Sequence, residues 1–206
     1  MSTKKHWENI YIKNAPSKVG WYQEYPTVSL KIIENSGISP EQSIIDIGGG
    51  ASCLVDCLID KEYKNITVLD LSEASLKISM KRLGKRAENI QWCATDITSW
   101  DSSIKYNLWH DRAMFHFLTS EDERKQYINS LNRNLLIGGH LIIATFAPDG
   151  PPKCSGLNIV RYDADKISSA IGNNFKLLEV INDTHITPGG IEQKYLYFYF
   201  KRNPKI

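Results

Sequence analysis

The chain has 206 residues, of which 42% are hydrophobic and 23% are charged, and its formal net charge is +2. These values are typical of one globular domain with a substantial core, and the small net charge argues against nucleic acid or an anionic membrane as a partner. No apolar run approaches the roughly 20 residues that span a bilayer, and residues 1–10 contain no signal peptide. The four cysteines form no CxxC pair, which favours packing over a metal site and a reduced, cytoplasmic compartment.

Residues 1–37 are predicted to form an N-terminal segment that caps the core. Residues 1–25 contain five aromatic side chains, including Tyr11 and Trp21, and are broken into short pieces by glycine and proline. These side chains either pack a terminal helix onto the body of the domain or cover a ligand as a lid. A helix is predicted over 27–36, with Gly37 just beyond its end.

Residues 38–206 are predicted to form a single core in which strands and helices alternate. Such alternation implies right-handed crossovers and a parallel sheet with helices on both faces, which is a doubly wound α/β fold. The last two strands flank Pro188-Gly189-Gly190 without a helix between them, so they are predicted to pair as an antiparallel hairpin. Gly138 and Gly139 are predicted to end the helix before the fifth strand. The predicted strands cover 43–47, 66–70, 90–94, 107–111, 140–146, 175–182 and 193–201, and the predicted helices 51–60, 73–84, 121–135 and 163–171.

The turn after the first core strand is predicted to bind a nucleoside ligand. Asp46 lies near the end of the strand, and Gly48, Gly49 and Gly50 precede a helix, as in α/β nucleotide sites. A dinucleotide fingerprint requires a third glycine where this chain has Cys53. A carboxylate beside the turn would repel a pyrophosphate and attract a cation by about 4 kcal/mol at 4 Å and an effective dielectric near 20. S-adenosylmethionine, which carries an ammonium, a sulfonium and no phosphate, fits this requirement.

Two more aspartates follow the next two strands. Asp70 ends the second strand and is predicted to accept both hydroxyls of a ribose. Asp96 follows the third strand, where it can accept a hydrogen bond from the adenine amine, with Ile97 against the ring. Single acids at strand ends often serve as caps, but three successive ones meet at the edge of the sheet where ligands bind.

With these residues, the sequence over about 40–200 resembles the class I S-adenosylmethionine-dependent methyltransferases. The family's first motif corresponds to 46–50, its ribose-binding acid to Asp70 and its adenine-side acid to Asp96. The resemblance implies a Rossmann-like, mostly parallel seven-stranded sheet whose last strand inserts antiparallel. It also implies S-adenosyl-L-methionine as the methyl donor and S-adenosyl-L-homocysteine as the product. The expected cofactor contacts are Asp46, Gly48, Gly49, Gly50, Asp70, Leu71, Asp96, Ile97, Trp21 and Tyr11.

The methyl acceptor is expected beyond the fourth and fifth strands. Methyl transfer requires orientation first, and a base only when the acceptor carries a proton. His116 is the preferred candidate for a general base and His110 the second, because a histidine with a pKa near 6.5 accepts a proton at neutral pH. Asp111 is predicted to orient the base or to hold an amine. For His116, a place at the edge of the core is the competing interpretation.

Three further residues are predicted to contact the substrate. Arg112 or Arg161 can bind an anionic group through the guanidinium fork, although Arg112 can instead form a structural ion pair. Cys154 lies in the long loop after the fifth strand and either contacts the substrate or packs inside the fold.

The residues after the fourth strand restrict the acceptor class. Family members that methylate nucleobase amines carry Asn/Asp-Pro-Pro-Tyr/Phe there, and this chain has Asp111-Arg112-Ala113-Met114. Protein-lysine methyltransferases often show Asp/Glu-x-x-Tyr/Phe, from which Met114 departs. A small-molecule acceptor is therefore preferred, and a protein lysine is the alternative. A non-catalytic cofactor-binding sensor is a second alternative, and a nicotinamide oxidoreductase is a distant fourth. The acceptor atom and the oligomeric state stay open.

Overall fold

The computed structural model describes residues 3–204. Its strands are β1 (Ser43–Ile47), β2 (Asn65–Asp70), β3 (Gln91–Ala94), β4 (Tyr106–Arg112), β5 (Leu135–Phe146), β6 (Lys153–Cys154), β7 (Leu157–Asn158), β8 (Phe175–Ile186) and β9 (Glu192–Arg202). Its α-helices are α1 (Thr3–Lys13), α2 (Thr27–Asn35), α3 (Leu54–Asp60), α4 (Glu73–Leu83), α5 (Glu121–Asn134) and α6 (Ala164–Ile171), and short 3-10 turns cover Pro16–Lys18, Gly84–Asn89 and Phe115–Phe117. In this part of the chain, no helix is long and apolar enough to cross a membrane.

Seven strands form one mixed sheet in the order β3-β2-β1-β4-β5-β9-β8. The first five of these pair in parallel, whereas β9 pairs antiparallel with both β5 and β8. The predicted doubly wound α/β fold, its seven-stranded sheet and its C-terminal antiparallel hairpin are therefore confirmed. The strand order reverses between β1 and β4, which is the place where sheets of this type bind ligands.

Apolar side chains cover both faces of the sheet. One core cluster joins the sheet to α2, α3 and α4, and a second joins it to α5 and α6. The central strand β1 shows why both faces are covered, because Ile44, Ile45 and Ile47 are all nearly inaccessible to solvent. A strand that is apolar in successive positions must be buried on both sides.

The fifth strand begins earlier than predicted, and the predicted helix end at Gly138-Gly139 is wrong. Helix α5 ends at Asn134, and both glycines lie inside β5. The pairing of β5 with β4 shifts register between Tyr106 and Leu108, and Gly138 has a φ of +73° there. The glycines therefore form an irregularity within the strand, a position for which glycine is suited because it lacks a Cβ.

Candidate active site

Two neighbouring cavities open at the carboxyl ends of the central strands. The larger one, called here the main cavity, has a volume of about 190 Å³. The smaller one, the side cavity, has a volume of about 50 Å³. Both are lined by Gly48 and Arg112, and by Tyr11 and Trp21 of the N-terminal segment. The glycine turn and the exit of β4 thus contribute to both.

The glycine turn is held tightly against β2. The Gly48 N–H donates to the carbonyl of Leu69 at 2.7 Å, and Gly48 has a φ of +69°. A Cβ at Gly49 would overlap the Asp46 carboxylate and approach Val68 to 2.8 Å. Glycine at this turn is therefore required by the close approach of the acid as well as by the backbone conformation.

The Asp70 carboxyl is buried at the end of β2 and lines the main cavity. Its Oδ1 accepts from the Ser72 N–H at 2.8 Å. Burial raises the pKa of Asp70 from 3.8 to about 7, and the Ser72 bond offsets only part of this effect. The Asp70 carboxylate can accept more hydrogen bonds than the one from Ser72. Two ribose hydroxyls would supply such bonds and would stabilise its charged form.

The residues expected at the adenine also line the main cavity: Leu71, Asp96 and Ile97. Asp96 is exposed, and its Oδ1 accepts from both the N–H and the hydroxyl of Thr98, at 2.9 and 2.7 Å. Ile97 is only 5% exposed, so it offers an apolar surface beside a polar edge. This combination suits a flat heterocycle with an exocyclic amine.

Asp46 belongs to a buried chain of hydrogen bonds beside the side cavity. His110 Nδ1 lies 2.7 Å from Asp46 Oδ1, and His110 Nε2 lies 2.9 Å from Ser29 Oγ. All three side chains are at most 3% exposed. His110 is thus engaged on both ring nitrogens, and its placement fits orientation of Asp46 better than the predicted role of base at the acceptor.

Helix α1 forms a wall of the main cavity and is attached to α4 by one side chain. Glu8 accepts hydrogen bonds from the N–H groups of Glu73 and Ala74, at 2.8 and 3.1 Å, and from the Ser72 hydroxyl at 3.1 Å. Glu8 therefore supplements the N-cap of α4 from another helix, where a negative charge is favoured.

The aromatic side chains of the N-terminal segment pack together over the cavity. The ring of Trp7 contacts those of Trp21 and Phe117 edge-to-face, with centroids 5.6 and 5.1 Å apart. Trp21 Nε1 donates to the Tyr11 hydroxyl at 3.2 Å. The N-terminal segment thus lies against the face of the domain that carries the cavities. This placement agrees both with packing onto the domain and with a lid over the ligand.

The structure does not bring His116 or Asp111 to the main cavity. His116 is fully buried, both its ring nitrogens lack partners, and burial lowers its pKa to about 3. Asp111 accepts from the N–H groups of Met114 and Phe115 and from the Tyr127 hydroxyl, at 2.9, 3.1 and 2.9 Å. Burial raises its pKa to about 6. These placements support core and turn-stabilising roles in place of the predicted base and orienting acid.

The predicted substrate residues divide into two groups. Arg112 and Cys154 line the main cavity, and burial raises the pKa of the Cys154 thiol to about 12, which disfavours the thiolate and favours packing as its role. Arg161 donates to the Gly150 carbonyl at 2.9 Å and lines neither cavity. Its predicted contact with substrate is not supported.

Several lining residues were not predicted: Thr95, Met114, Phe117, Leu118 and Glu123. In the sequence, the first four of these residues are distinguished only by their proximity to the predicted strand ends. Trp7 also lines the cavity and was predicted only as one of the aromatic side chains that either pack on the domain or cover a ligand. Among residues 3–204, no group of three His, Cys, Asp or Glu side chains is placed to hold a metal ion.

The residues fit S-adenosylmethionine in charge. Gly48 of the glycine turn lines both cavities, Asp70 and Asp96 offer acceptors to a nucleoside in the main cavity, and Asp46, which lines the side cavity, offers an anion to an ammonium group. Tyr11 and Trp21 supply aromatic surface that attracts a sulfonium.

No protein-family model matches the sequence. The chain is 24% identical over 175 residues to the eEF1A lysine and N-terminal methyltransferase of Danio rerio, an alignment that covers 83% of this chain and 25% of that protein. It is 20% identical over 205 residues to human EEF1A lysine methyltransferase 2, covering 92% of this chain and 81% of that protein. The chain thus spans only a quarter of the first relative but most of the second.

Solved structures show the same fold. The N-methyltransferase NodS from Bradyrhizobium japonicum, in complex with S-adenosyl-L-homocysteine, superposes with a TM-score of 0.77 at 19% identity, covering 99% of this chain and 100% of that chain. The chain therefore has the fold of the class I S-adenosylmethionine-dependent methyltransferases and is similar in sequence to curated methyltransferases.

Proposed function

We propose that the protein transfers the methyl group of S-adenosylmethionine to a small-molecule acceptor by in-line displacement. The observation that carries this proposal is the convergence of Asp70, Asp96 and the glycine turn on one main cavity that the N-terminal helix also lines. When bound, S-adenosylmethionine supplies a methyl group that is already activated by a positive sulfur.

The chain's own residues bind, orient and exclude water. Asp70 would hold the ribose, and Leu71, Asp96 and Ile97 the adenine. Asp46, fixed by His110 and Ser29, would hold the ammonium group. Residues 3–37 would act as a cap, because Trp7, Tyr11 and Trp21 line the main cavity. Excluding water from the site would strengthen the electrostatic interactions within it.

The main cavity offers little proton-accepting capacity at the exit of β4. Arg112, Met114, Phe117 and Cys154 line that side, and none of them is a base at neutral pH, since burial raises the pKa of the Cys154 thiol to about 12. Glu123 of α5 also lines the cavity, but its carboxylate accepts from the N–H and the hydroxyl of Ser120. We therefore expect an acceptor that is nucleophilic without enzymatic deprotonation, such as a neutral amine or an existing anion. Catalysis would then rest on orientation.

Calorimetry with S-adenosylhomocysteine tests cofactor binding directly. Asp70→Ala is expected to weaken binding by about 1.5–3 kcal/mol, the range for hydrogen bonds to a charged group. Asp60→Ala is the control, because Asp60 is exposed and pairs with Arg86 away from the cavities. Absence of binding to the unaltered protein at high micromolar concentrations would refute the proposal, and equal affinities for Asp70→Ala and Asp60→Ala would refute the ribose assignment.

Methylation of a protein lysine is the second candidate, favoured by the names of the two sequence relatives. The lining of the main cavity favours a small acceptor, since Trp7, Tyr11 and Trp21 of the N-terminal segment form part of its wall. Incubation with a tritiated methyl donor and a cell extract separates the candidates. Label in the small-molecule fraction supports the first, and label in a protein band supports the second.

A further inference from the structure

Arg112 carries a buried positive charge that lacks an ion-pair partner within residues 3–204. Its Nε donates to the Tyr197 hydroxyl at 2.9 Å, and its Nη1 donates to the Trp21 carbonyl at 3.0 Å. Both acceptors are neutral, and the guanidinium stays charged at every physiological pH. The Asp183 carboxylate raises the pKa of Arg112 but lies beyond ion-pair distance, and its own buried Oδ2 lacks a hydrogen-bond partner. The fold therefore compensates the guanidinium only in part, and an anion in direct contact with it would complete the pairing.

The third nitrogen of the guanidinium is free. Arg112 Nη2 is inaccessible to solvent and has no hydrogen-bond partner. The guanidinium carbon lies 4.6 Å from the centre of the Tyr195 ring, and the buried Tyr195 hydroxyl also lacks a partner. Unpaired buried donors are rare in folded proteins, and each one requires a partner that the fold itself does not supply, such as a water molecule, an ion or a ligand.

The position of Arg112 separates it from the nucleoside end of the main cavity. Asp70 and Asp96 follow β2 and β3, on one side of β1, whereas Arg112 ends β4 on the other side. Its neighbours in the cavity lining, Met114 and Phe117, are apolar. This part of the cavity therefore suits an apolar body that carries one anionic group.

We propose that Arg112 binds a carboxylate of the methyl acceptor, so that the protein acts on small organic acids. The planar guanidinium and its single charge match a singly charged, planar group such as a carboxylate. A phosphate dianion carries a second charge, and among residues 3–204 Arg112 is the one basic side chain in the lining of the main cavity. The aromatic and thioether surfaces beside Arg112 favour an aromatic or branched acid. This inference rests on the methyltransferase function proposed above and assigns its substrate class.

The test is calorimetry of the protein saturated with S-adenosylhomocysteine, at constant chloride concentration. The probes are benzoate and phenylacetate, each compared with its neutral amide. At least one acid is expected to bind at least 10-fold more tightly than its amide. Arg112→Gln should weaken binding of that acid by about 10- to 100-fold, the loss expected for a charge-assisted hydrogen bond, and leave the amide unchanged. Arg161→Gln is the matched control, since Arg161 lines neither cavity.

A second pair of ligands identifies the source of the carboxylate. S-adenosylhomocysteine has a carboxylate, and 5′-methylthioadenosine does not. If Arg112→Gln weakens the first at least 10-fold and leaves the second unchanged, Arg112 holds the cofactor and the inference is wrong. Equal binding of acids and amides by the unaltered protein also overturns it. Loss of all S-adenosylhomocysteine binding by the unaltered protein would instead refute the proposed function.

The unaltered protein keeps the test decisive if Arg112→Gln does not fold, because the comparison of acid with amide requires no variant. Arg112→Lys and Tyr195→Phe give a further check, with folding monitored by circular dichroism. Lysine preserves the charge and is expected to retain part of the preference for the acid. Tyr195→Phe removes only the hydroxyl and is expected to reduce that preference by less than Arg112→Gln does.

Discussion

The attachment of α1 through Glu8 can be tested by a single substitution. Glu8→Ala removes three hydrogen bonds to a carboxylate at the N-terminus of α4. Each such bond contributes about 1.5–3 kcal/mol when buried, but Glu8 is only half-buried and solvent screens part of this. A total loss of about 2 kcal/mol is expected, which shifts the equilibrium between docked and undocked α1 by about 30-fold.

Limited trypsin digestion measures this shift. Lys13 is exposed at the end of α1, and cleavage there should accelerate by up to about 30-fold, since cleavage follows the population of the open state when closing is fast. Affinity for S-adenosylhomocysteine should fall by a smaller factor, in proportion to the docked fraction. Glu8→Gln is expected to lie between the two proteins.

The control is Glu88→Ala, at an exposed acid in the 3-10 turn Gly84–Asn89. Its digestion rate should match that of the unaltered protein. Unchanged digestion of Glu8→Ala would show that α1 is held by its aromatic contacts and that the Glu8 bonds contribute nothing measurable.

Three further predictions concern the buried groups. The pKa of Asp70 is about 7 in the native state and is ordinarily 3.8. As the pH rises, the ligand-free native state therefore keeps the Asp70 proton to a higher pH than the unfolded state does. The free energy of unfolding should therefore fall between pH 4 and 7, by up to about 4 kcal/mol from this group. Urea titrations should show that slope reduced in Asp70→Asn, and an identical slope would contradict the assignment. His116→Phe should leave the cofactor affinity unchanged. Its free energy of unfolding should be equal or about 1 kcal/mol higher, since the substitution removes two unpaired buried nitrogens. A large loss of stability or affinity would show that His116 has a polar role. Gly49→Ala should lose about 3 kcal/mol or more of stability through overlap with Asp46, whereas Gly189→Ala, with its nearest neighbour 3.8 Å away, should lose little in the same denaturation assay.

The sequence predicts where the candidate cofactor residues lie in the fold, because most of them lie at or just after the end of a strand. Asp46, the glycine turn and Asp70 follow strands whose apolar pattern is clear, and parallel strands bring their carboxyl ends together without further information. The fold and the antiparallel hairpin follow from the same alternation. The individual contacts to the cofactor stay predictions until a complex is measured.

The acceptor side could not be predicted in the same way. His116 lies in a short 3-10 turn, and only tertiary packing determines that its ring is buried. Asp111 lies near the end of β4, and only the fold of the following turn brings backbone amides to its carboxylate. Trp7 and Glu8 reach the site from a helix far away in the chain. Gly138 read as a helix terminator because glycine marks both helix ends and strand irregularities.

The bonds of Arg112 join the two ends of the chain. One guanidinium nitrogen is bonded to the Trp21 carbonyl in the N-terminal segment and another to the Tyr197 hydroxyl in β9. During synthesis, this arrangement can therefore form only after β9 has been made. A ribosome-bound fragment that ends before β9 would leave Arg112 without one of its two partners, so ligand binding should appear only late in folding and should report on a fully assembled sheet.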